Sequence, residues 1–264
     1  MKLEQLHKHK GPEAPPLVCL TAYTAPMAAC LDGVADLLLV GDSVGMVLYG
    51  EPTTENVDLE TMIRHGRAVA RQCQNTPVIV DMPAGSYEAA PQDALENAGK
   101  VMRETGCDGV KLEGGAAMAD TVKTLVDNDI PVVGHVGLLP QSAGGKFTIQ
   151  GKQDNDQERI VKDALTIEEA GAVAIVIEAV YEPVARTVTG AVNVPTIGIG
   201  ASVACDGQIL VSEDMLGLTG GKVPRFVKRY ADLGAAVRQA AEEYRKDVRA
   251  RDFPGEEHLY VRRG

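Results

Sequence analysis

The chain has no tryptophan and only three phenylalanines. Its core must therefore be built from Val, Ile, Leu and Ala, which is typical of proteins with a buried parallel sheet. No apolar run approaches the roughly 20 residues that a transmembrane helix needs, and the polar residues 1–10 lack the apolar core of a signal peptide. We therefore expect a cytoplasmic protein with no membrane partner.

Cysteine pairs and an excess of basic residues are also absent. The five cysteines are odd in number, scattered and without a Cys-x-x-Cys pair, so the sequence predicts neither a disulfide framework nor a structural zinc site. Lys and Arg total 26 against 37 Asp and Glu, which gives a net charge of −11. Such an acidic chain is poorly suited to nucleic acid or an anionic membrane. Small molecules are the expected partners.

Short apolar runs that end in ionisable residues are what the chain does have. In the first of these, four apolar residues at 37–40 precede Gly41, Asp42 and Ser43. A run of this kind is typical of a strand buried on both faces. Similar runs lead into Asp81, Lys111 with Glu113, His135 and Glu178. Because the carboxyl ends of parallel strands lie side by side, we expect these side chains to converge on one site.

Eight strands are predicted, with helices or loops between nearly all of them. They lie at 17–20, 37–40, 78–81, 109–113, 132–136, 174–178, 195–200 and 207–211. This alternation favours an α/β fold with a parallel sheet. Eight βα units need roughly 250 residues, so 264 residues favour one (β/α)8 TIM-barrel domain over 1–264 rather than an open doubly wound sheet. Helical stretches after Pro224, the longer at 233–249, predict a C-terminal helical extension.

Lys111 and Glu113 are two residues apart on one predicted strand, so their side chains point to the same face. Val110 and Leu112 suit the face that meets the helices, which leaves Lys111 and Glu113 pointing into the barrel near its mouth. The alternative is a structural Lys–Glu ion pair. A buried pair of that kind stabilises little, because desolvation offsets the attraction, and this favours a functional role.

Asp42, Asp81 and Glu113 are predicted at the ends of three neighbouring strands. Three carboxylates close together repel one another unless a cation lies among them, and a set of oxygen ligands suits Mg²⁺. For any one of these acids, capping of a helix N-terminus is the alternative. Capping explains all three poorly, because they share equivalent strand ends. The sequence therefore predicts a magnesium site.

Three further features have structural alternatives. Taken alone, His135 is compatible with a buried core histidine, and Glu178 with an ion pair to Arg186. Both residues stand at strand ends beside the other acids, and this favours a place in the site for His135 and for Glu178. The glycine-rich segment 198–202 resembles a phosphate-binding strand exit, but close packing explains its glycines more simply. The polar, glycine-containing segment 139–156 has the length of a lid or binding loop.

Eight motifs that occur in order cover nearly the whole chain, from about Leu17 to His258. They are VGDSVGM (40–46), DMP (81–83), KLEGG (111–115), GHVGL (134–138), PQS (140–142), IGIG (197–200), DGQILV (206–211) and PGEEH (254–258). On these motifs the chain resembles the 3-methyl-2-oxobutanoate (ketopantoate) hydroxymethyltransferase family. The resemblance implies a barrel of the phosphoenolpyruvate mutase and isocitrate lyase type.

The resemblance also implies an activity and a set of site residues. The activity is transfer of a hydroxymethyl group from 5,10-methylenetetrahydrofolate to 3-methyl-2-oxobutanoate, which gives 2-dehydropantoate for pantothenate and coenzyme A biosynthesis. Mg²⁺ would bind at Asp42, Asp81 and Glu113. The oxo acid would bind at Asp42, Ser43, Asp81 and Lys111, with Glu178 as the base and His135 in the same site. A homo-oligomer, often a decamer, is implied as well.

Two other interpretations remain. A lyase that splits a 2-hydroxy acid on the same barrel would carry a cysteine in a Lys-Cys-Gly-His-type motif, and no cysteine lies between Gly134 and Gln150. The other is a catalytically silent or altered-substrate paralogue that binds a 2-oxo acid. Segment 142–150, shorter than is usual in the family, supports this paralogue, and the intact ionisable residues oppose it.

Overall fold

Eight parallel strands close into a barrel in the order β1 to β8, with β8 paired to β1. The predicted (β/α)8 fold is thus confirmed in the computed structural model, which describes residues 3–221 and 223–260. The strands are β1 Leu17–Thr21, β2 Leu37–Val40, β3 Val78–Asp81, β4 Gly109–Lys111, β5 Val132–Gly137, β6 Ala174–Glu178, β7 Thr196–Ile199 and β8 Gly207–Leu210.

Helices follow most of the strands. They are α1 Ala25–Leu31, α2 Val44–Leu48, α3 Leu59–Ala70, α4 Pro91–Thr105, α5 Ala119–Val126, α6 Asp154–Glu169, α7 Glu182–Ala191, α8 Ser212–Met215 and α9 Leu233–Ala250. The boundaries of α4 were predicted correctly, because Pro91 stands at its first turn and Gly106 ends it in the left-handed conformation (φ 73°). No described helix has both the length and the apolar character of a membrane span.

The interior of the barrel is apolar over its lower part. One set of alternating strand residues packs there, from Leu17 and Cys19 in β1 to Ile209 in β8. Leu3 and Leu6 join this cluster from a 3₁₀ helix, Leu3–His9. The sequence predicted only a polar lead-in here, since two leucines among seven residues give no clear period.

The register of β3, β4 and β5 places ionisable residues above this apolar layer. Asp81 pairs with Lys111, and Lys111 pairs with Val133 of β5. Since side chains alternate along a strand, Asp81 and His135 share a face with Ile79 and Val133, which lie in the core cluster. The upper interior is therefore charged, as the sequence predicted.

One helix was not predicted, and two element boundaries differ from the prediction. No element was predicted at 44–48, because the five residues of α2 are too few to show a helical period. Strand β4 ends at Lys111 rather than Glu113, although the Gly114 N–H still bonds to the His135 carbonyl. Helix α6 begins at Asp154 rather than Gln157, with Asp154 and Asp156 in its first turn, where the helix dipole favours acids.

The described residues divide between Ser212 and Glu213 into two compact units. The second unit contains α9, which begins where the Asp232 side chain accepts a hydrogen bond from the Ala235 N–H. Leu233, Val237, Tyr244 and Val248 of α9 are exposed. After Pro224 the described residues form this one α-helix and a short 3₁₀ turn, Glu256–His258. One domain over 1–264 stays a prediction.

Candidate active site

Five predicted site residues lie together at the carboxyl ends of the strands. Asp42, Asp81, Lys111, Glu113 and His135 are each at most 4% exposed. Charged side chains are buried this deeply in proteins almost only when they have partners. The contacts among these five, and with Glu178, therefore decide what the site can do.

Lys111 and Asp81 form the ion pair at the centre of the cluster. The Lys111 Nζ lies 3.1 Å from Asp81 Oδ1, and Asp81 Oδ2 accepts a hydrogen bond of 3.1 Å from the Asp42 N–H. The sequence alternative of a structural Lys111–Glu113 pair is not what forms, because Lys111 turns to Asp81 on the neighbouring strand. Strands β2, β3 and β4 are thereby connected through their exits.

His135 lies between two acids and the ammonium group. Its Nδ1 is 3.3 Å from Lys111 Nζ and 3.5 Å from Glu113 Oε1, and its Nε2 is 3.4 Å from Glu178 Oε2. His135 Nδ1 thus faces both an ammonium and a carboxylate, and its Nε2 faces a second carboxylate. His135 is therefore a member of the site and not an isolated core histidine.

Burial and mutual repulsion shift the pKa values of these acids. Burial raises the pKa of Asp42 above its ordinary value, and Asp81 adds to this while Lys111 opposes it. Burial likewise raises the pKa of Asp81, against Lys111. For Glu113, burial is outweighed by His135 and Lys111, so its pKa is lowered. Burial would lower the pKa of Lys111, but Asp81, Glu113 and Asp42 hold it above its ordinary value, so the amine stays charged at neutral pH.

Glu178 differs from the other acids because 21% of its side chain is accessible to solvent. The protein packed around it still raises its pKa, chiefly by desolvation, and His135 opposes this. A raised pKa brings a carboxylate nearer to the range in which it accepts protons at neutral pH. The alternative, an ion pair to Arg186, does not form, since Arg186 bonds to Glu182. Glu178 is thus a partly accessible carboxyl group at the rim of the cluster.

Two backbone features position these strand exits. A Cβ on Gly41 would lie 2.7 Å from Ser43 Oγ, so glycine is required where the chain turns into Asp42 and Ser43. Ala179 has φ +48°, a left-handed conformation that strains a residue other than glycine. It directly follows Glu178, and its carbonyl accepts the Gln150 N–H at 2.8 Å. The strained conformation of Ala179 therefore determines the direction of the backbone directly after Glu178.

Ser43 lies beside the cluster and bonds to Tyr23, with 2.8 Å between the Tyr23 hydroxyl and Ser43 Oγ. The Tyr23 carbonyl accepts from His65 Nδ1 at 2.5 Å, and His65 Nε2 is 2.5 Å from the Tyr49 hydroxyl. The buried Tyr23 is thus held at its hydroxyl and at its backbone carbonyl. Sequence reasoning assigned no role to Tyr23 or His65, although Tyr23 stands directly after the first strand.

Gln141 and Tyr87 are site residues that the sequence did not reveal. The Gln141 side-chain amide donates to Asp42 Oδ2 at 2.7 Å and to the Met82 carbonyl at 2.9 Å. Its backbone N–H donates to Glu113 Oε2 at 3.1 Å. The Tyr87 hydroxyl is 2.6 Å from Gln141 Oε1. In the sequence, Gln141 belongs to the PQS motif at 140–142, but the motif alone did not indicate a function for it.

No group of three or more His, Cys, Asp or Glu side chains within residues 3–221 and 223–260 is arranged to hold a metal ion. The three predicted magnesium ligands are nevertheless neighbours, engaged with Lys111 and Gln141 as described. The glycine-rich segment 198–202 is explained by packing, because a Cβ on Gly198 would lie 3.0 Å from Cys205 Sγ. The magnesium site stays a prediction.

Comparison with known proteins decides the family. Residues 1–256 match the model of the family described as ketopantoate hydroxymethyltransferase. A protein of Brucella canis named 3-methyl-2-oxobutanoate hydroxymethyltransferase is 57% identical over 247 residues, which are 93% of this chain and 90% of that protein. The chain belongs to the ketopantoate hydroxymethyltransferase family. The resemblance inferred from the sequence motifs is confirmed.

Solved structures agree on the barrel type. A phosphonopyruvate hydrolase in complex with oxalate and Mg²⁺ aligns with a TM-score of 0.62 at 14% identity, over 99% of this chain and 92% of that one. A 2,3-dimethylmalate lyase, described as a member of the phosphoenolpyruvate mutase and isocitrate lyase superfamily, also aligns with a TM-score of 0.62 at 14% identity, over 98% and 92%. At such identities the likeness concerns the fold alone.

In this ketopantoate hydroxymethyltransferase family member, the β5–α6 loop (residues 138–153) reaches the site at two points. Its first turn is a 3₁₀ helix, Pro140–Ser142, which contains Gln141. Near its end, Gln150 pairs with Val180, two residues after Glu178. Between them Gly144 and Gly145 have φ of +56° and +74°. Both ends of the loop therefore lie beside predicted site residues, an arrangement that is compatible with a cover over the site.

Proposed function

We propose that the chain transfers a hydroxymethyl group from 5,10-methylenetetrahydrofolate to 3-methyl-2-oxobutanoate and forms 2-dehydropantoate, a step of pantothenate biosynthesis. The observation that carries the proposal is the contact of Lys111 with both Asp81 and His135, beside Glu113 and Glu178. This arrangement joins one positive charge, which is suited to a developing enolate oxygen, to a carboxylate base. Membership of the family supplies the identity of the two substrates.

The donor set fits a divalent cation. Four acids, Asp42, Asp81, Glu113 and Glu178, surround one amine that stays charged, and the raised pKa values of Asp42, Asp81 and Glu178 show that this amine does not offset the cost of ionising all of them. Among the described residues, buried Asp81 Oδ1 accepts no hydrogen bond, although Lys111 Nζ lies 3.1 Å away. Hard oxygen ligands of this kind suit Mg²⁺. We propose Asp42, Asp81 and Glu113 as its ligands; a bound Mg²⁺ supplies Lewis-acid stabilisation of charge on the keto oxygen.

The residues of the chain would bind the oxo acid and move its proton. Ser43, through its hydroxyl and backbone N–H, and Asp42 and Asp81 would hold the oxo acid, and Lys111 would place its charge beside the keto oxygen. Glu178 would remove the proton from C3, since it is partly accessible and has a raised pKa. His135 Nε2, 3.4 Å from Glu178 Oε2, would hold the carboxylate in position. Water would release the methylene carbon of the folate as formaldehyde and leave tetrahydrofolate. The carbanion at C3 would then form a C–C bond to that carbon, and the alkoxide formed would take back the proton held by Glu178.

A turnover assay tests this proposal. Purified protein supplied with both substrates and Mg²⁺ is expected to form 2-dehydropantoate, measured by mass spectrometry, and to form none without the folate. The matched control variant is Asp93→Asn, which changes an exposed acid on α4 and should leave turnover unchanged. Cleavage of a 2-hydroxy acid in place of transfer would favour the lyase. Oxo-acid binding without any turnover would favour the silent or altered-substrate paralogue.

We also propose that the protein is a cytoplasmic homo-oligomer, with a decamer as the expected size. The exposed apolar residues Leu233, Val237, Tyr244 and Val248 recur at helical spacing on α9, which suits a contact between copies. Light scattering is expected to give a mass several times the 27.9 kDa of one chain. The mass should fall for Val237→Glu with Tyr244→Glu. A monomeric mass for the unaltered protein would contradict the proposal.

A further inference from the structure

Gln141 uses its backbone N–H and its whole side-chain amide within the site. Its backbone N–H and one side-chain N–H bond to Glu113 and Asp42, and the other side-chain N–H bonds to the Met82 carbonyl. Its side-chain oxygen faces the hydroxyl of Tyr87. Most side-chain hydrogen bonds go to backbone or water rather than to other side chains, whereas the Gln141 amide bonds to two other side chains, those of Asp42 and Tyr87.

The Met82 carbonyl and the Tyr87 hydroxyl together fix which way the Gln141 amide points. The Met82 carbonyl can only accept, so the amide nitrogen must face it and the oxygen must face Tyr87. Tyr87 is 2% exposed, and its oxygen also accepts the Glu113 N–H at 3.2 Å. Its single proton therefore goes to Gln141 Oε1, the nearest acceptor at 2.6 Å, rather than to the Glu113 carbonyl at 3.1 Å. The amide is oriented by a buried and rigid partner.

The two acids that Gln141 contacts come from different strand exits. Asp42 follows β2 and Glu113 follows β4, whereas Gln141 belongs to the first turn of the β5–α6 loop. In each carboxylate Gln141 bonds to one oxygen, Oδ2 of Asp42 and Oε2 of Glu113. The second oxygen of Glu113 lies 3.5 Å from His135 Nδ1, and Gln141 leaves the second oxygen of Asp42 available to a cation. Hydrogen bonds to ligating carboxylates fix their orientation and commonly change metal affinity by about 10–100-fold when lost.

We propose that Gln141, oriented by Tyr87, is a positioning residue that holds the Asp42 and Glu113 carboxylates as ligands for a divalent cation and ties the β5–α6 loop to them. The inference rests on the magnesium site proposed above. It adds that the loop and the cation site are coupled. A loop without the Gln141 contacts would leave two carboxylates free to rotate, and part of the binding free energy would be spent on ordering them.

Calorimetric titration with Mg²⁺ alone, without substrate, tests the coupling. Gln141→Met keeps the length of the side chain and removes its side-chain hydrogen bonds, among them the bond to Asp42, while its backbone N–H can still donate to Glu113. It should weaken Mg²⁺ binding by about 10-fold or more. Tyr87→Phe removes only the hydroxyl and should weaken binding by a smaller factor. The matched control is Ser142→Ala in the same turn, whose hydroxyl donates to the Leu139 carbonyl and contacts no acid. Its affinity should equal that of the unaltered protein.

The melting temperature without metal separates positioning from a structural role. Unchanged metal-free melting with weakened Mg²⁺ binding in Gln141→Met and Tyr87→Phe supports the inference, and excess Mg²⁺ should then restore their turnover. Affinity equal to or tighter than that of the unaltered protein would overturn the inference and leave the magnesium site standing. If the unaltered protein binds no Mg²⁺, the proposed metal site fails, and the inference fails with it.

Discussion

Lys111 lies among acids that outnumber it. It pairs with Asp81, and its ammonium also contacts His135. Asp42 and Asp81 have raised pKa values even in the presence of this positive charge. Charges taken out of water are costly unless they are neutralised, so the cluster is organised to receive a cation, a proton or both. An excess of buried acids over bases is more typical of a binding site than of a stabilising core.

Asp81→Asn is predicted to weaken Mg²⁺ binding and to lower turnover greatly. The substitution keeps the size of the side chain, and the asparagine oxygen can still accept the Asp42 N–H, but one negative charge is lost beside Lys111. Calorimetry and the turnover assay measure both effects, with Asp93→Asn as the control. Near-normal turnover of Asp81→Asn at low Mg²⁺ would remove Asp81 from the metal site.

Single residues at the ends of strands could be predicted from the sequence because position on a buried strand fixes where a side chain points. Lys111 and His135 are examples, and the structure places them in contact. The parts played by Gln141 and Tyr87 could not be predicted. They depend on the path of irregular segments, and no hydrophobic period constrains such a path.

At the scale of elements, the β5–α6 loop is the part of the barrel most directly tied to function. We predict that Gly144→Ala with Gly145→Ala lowers turnover. Both glycines have positive φ, which alanine tolerates poorly, so the loop should lose its closed conformation. The melting temperature should change little, because the loop is exposed and can relax locally.

Gly190→Ala on α7 is the control for this pair, since a Cβ there meets no atom within 4 Å. Its turnover should match that of the unaltered protein. Unchanged turnover in the double loop variant would show that segment 142–150 is only a connector.

A second element-scale prediction concerns Asp32, at the end of α1. Its carboxylate accepts the backbone N–H groups of Gln74, Asn75 and Thr76, at 3.1, 2.9 and 2.9 Å. Burial would raise its pKa, but these hydrogen bonds lower it to about 2. The folded state thus favours the ionised carboxylate, so this stabilisation is complete above the ordinary pKa of 3.8 and is lost as the pH falls toward 2.

Asp32→Asn should therefore lower the free energy of unfolding by about 1 kcal/mol at pH 7, a modest value because solvent screens the site. Urea titrations at pH 7 and pH 3 measure the difference between the two proteins. The difference should shrink at pH 3. A difference that is independent of pH would show that the charge of Asp32 contributes nothing.

Strands were easier to predict from the sequence than the elements between them. Runs such as 78–81 and 174–178 match their strands because fully buried strands are continuously apolar. Short helices such as α2 have too few residues to show a helical period. The leucines of Leu3–His9 are buried only because they pack against the barrel, and the sequence of this segment alone does not reveal that contact.

At the scale of the whole molecule, closure of the barrel assembles the site. Residues from Asp42 to Glu178 meet because five consecutive strands, β2 to β6, deliver them to one end. The sequence was sufficient to predict this convergence, since eight apolar runs allow few arrangements other than a barrel. The central claim that follows is that this end of the barrel removes a proton from the oxo acid.

Exchange of the C3 proton of 3-methyl-2-oxobutanoate in D2O tests that claim most directly. With Mg²⁺ and no folate, the unaltered protein should exchange the proton, followed by NMR, and exchange should stop without Mg²⁺. Glu178→Gln keeps the shape but cannot accept the proton, so exchange should fall at least ~100-fold. Lys111→Met should also slow it, through lost stabilisation of the enolate. Rapid exchange by Glu178→Gln would contradict the account and make His135 the next candidate for the base.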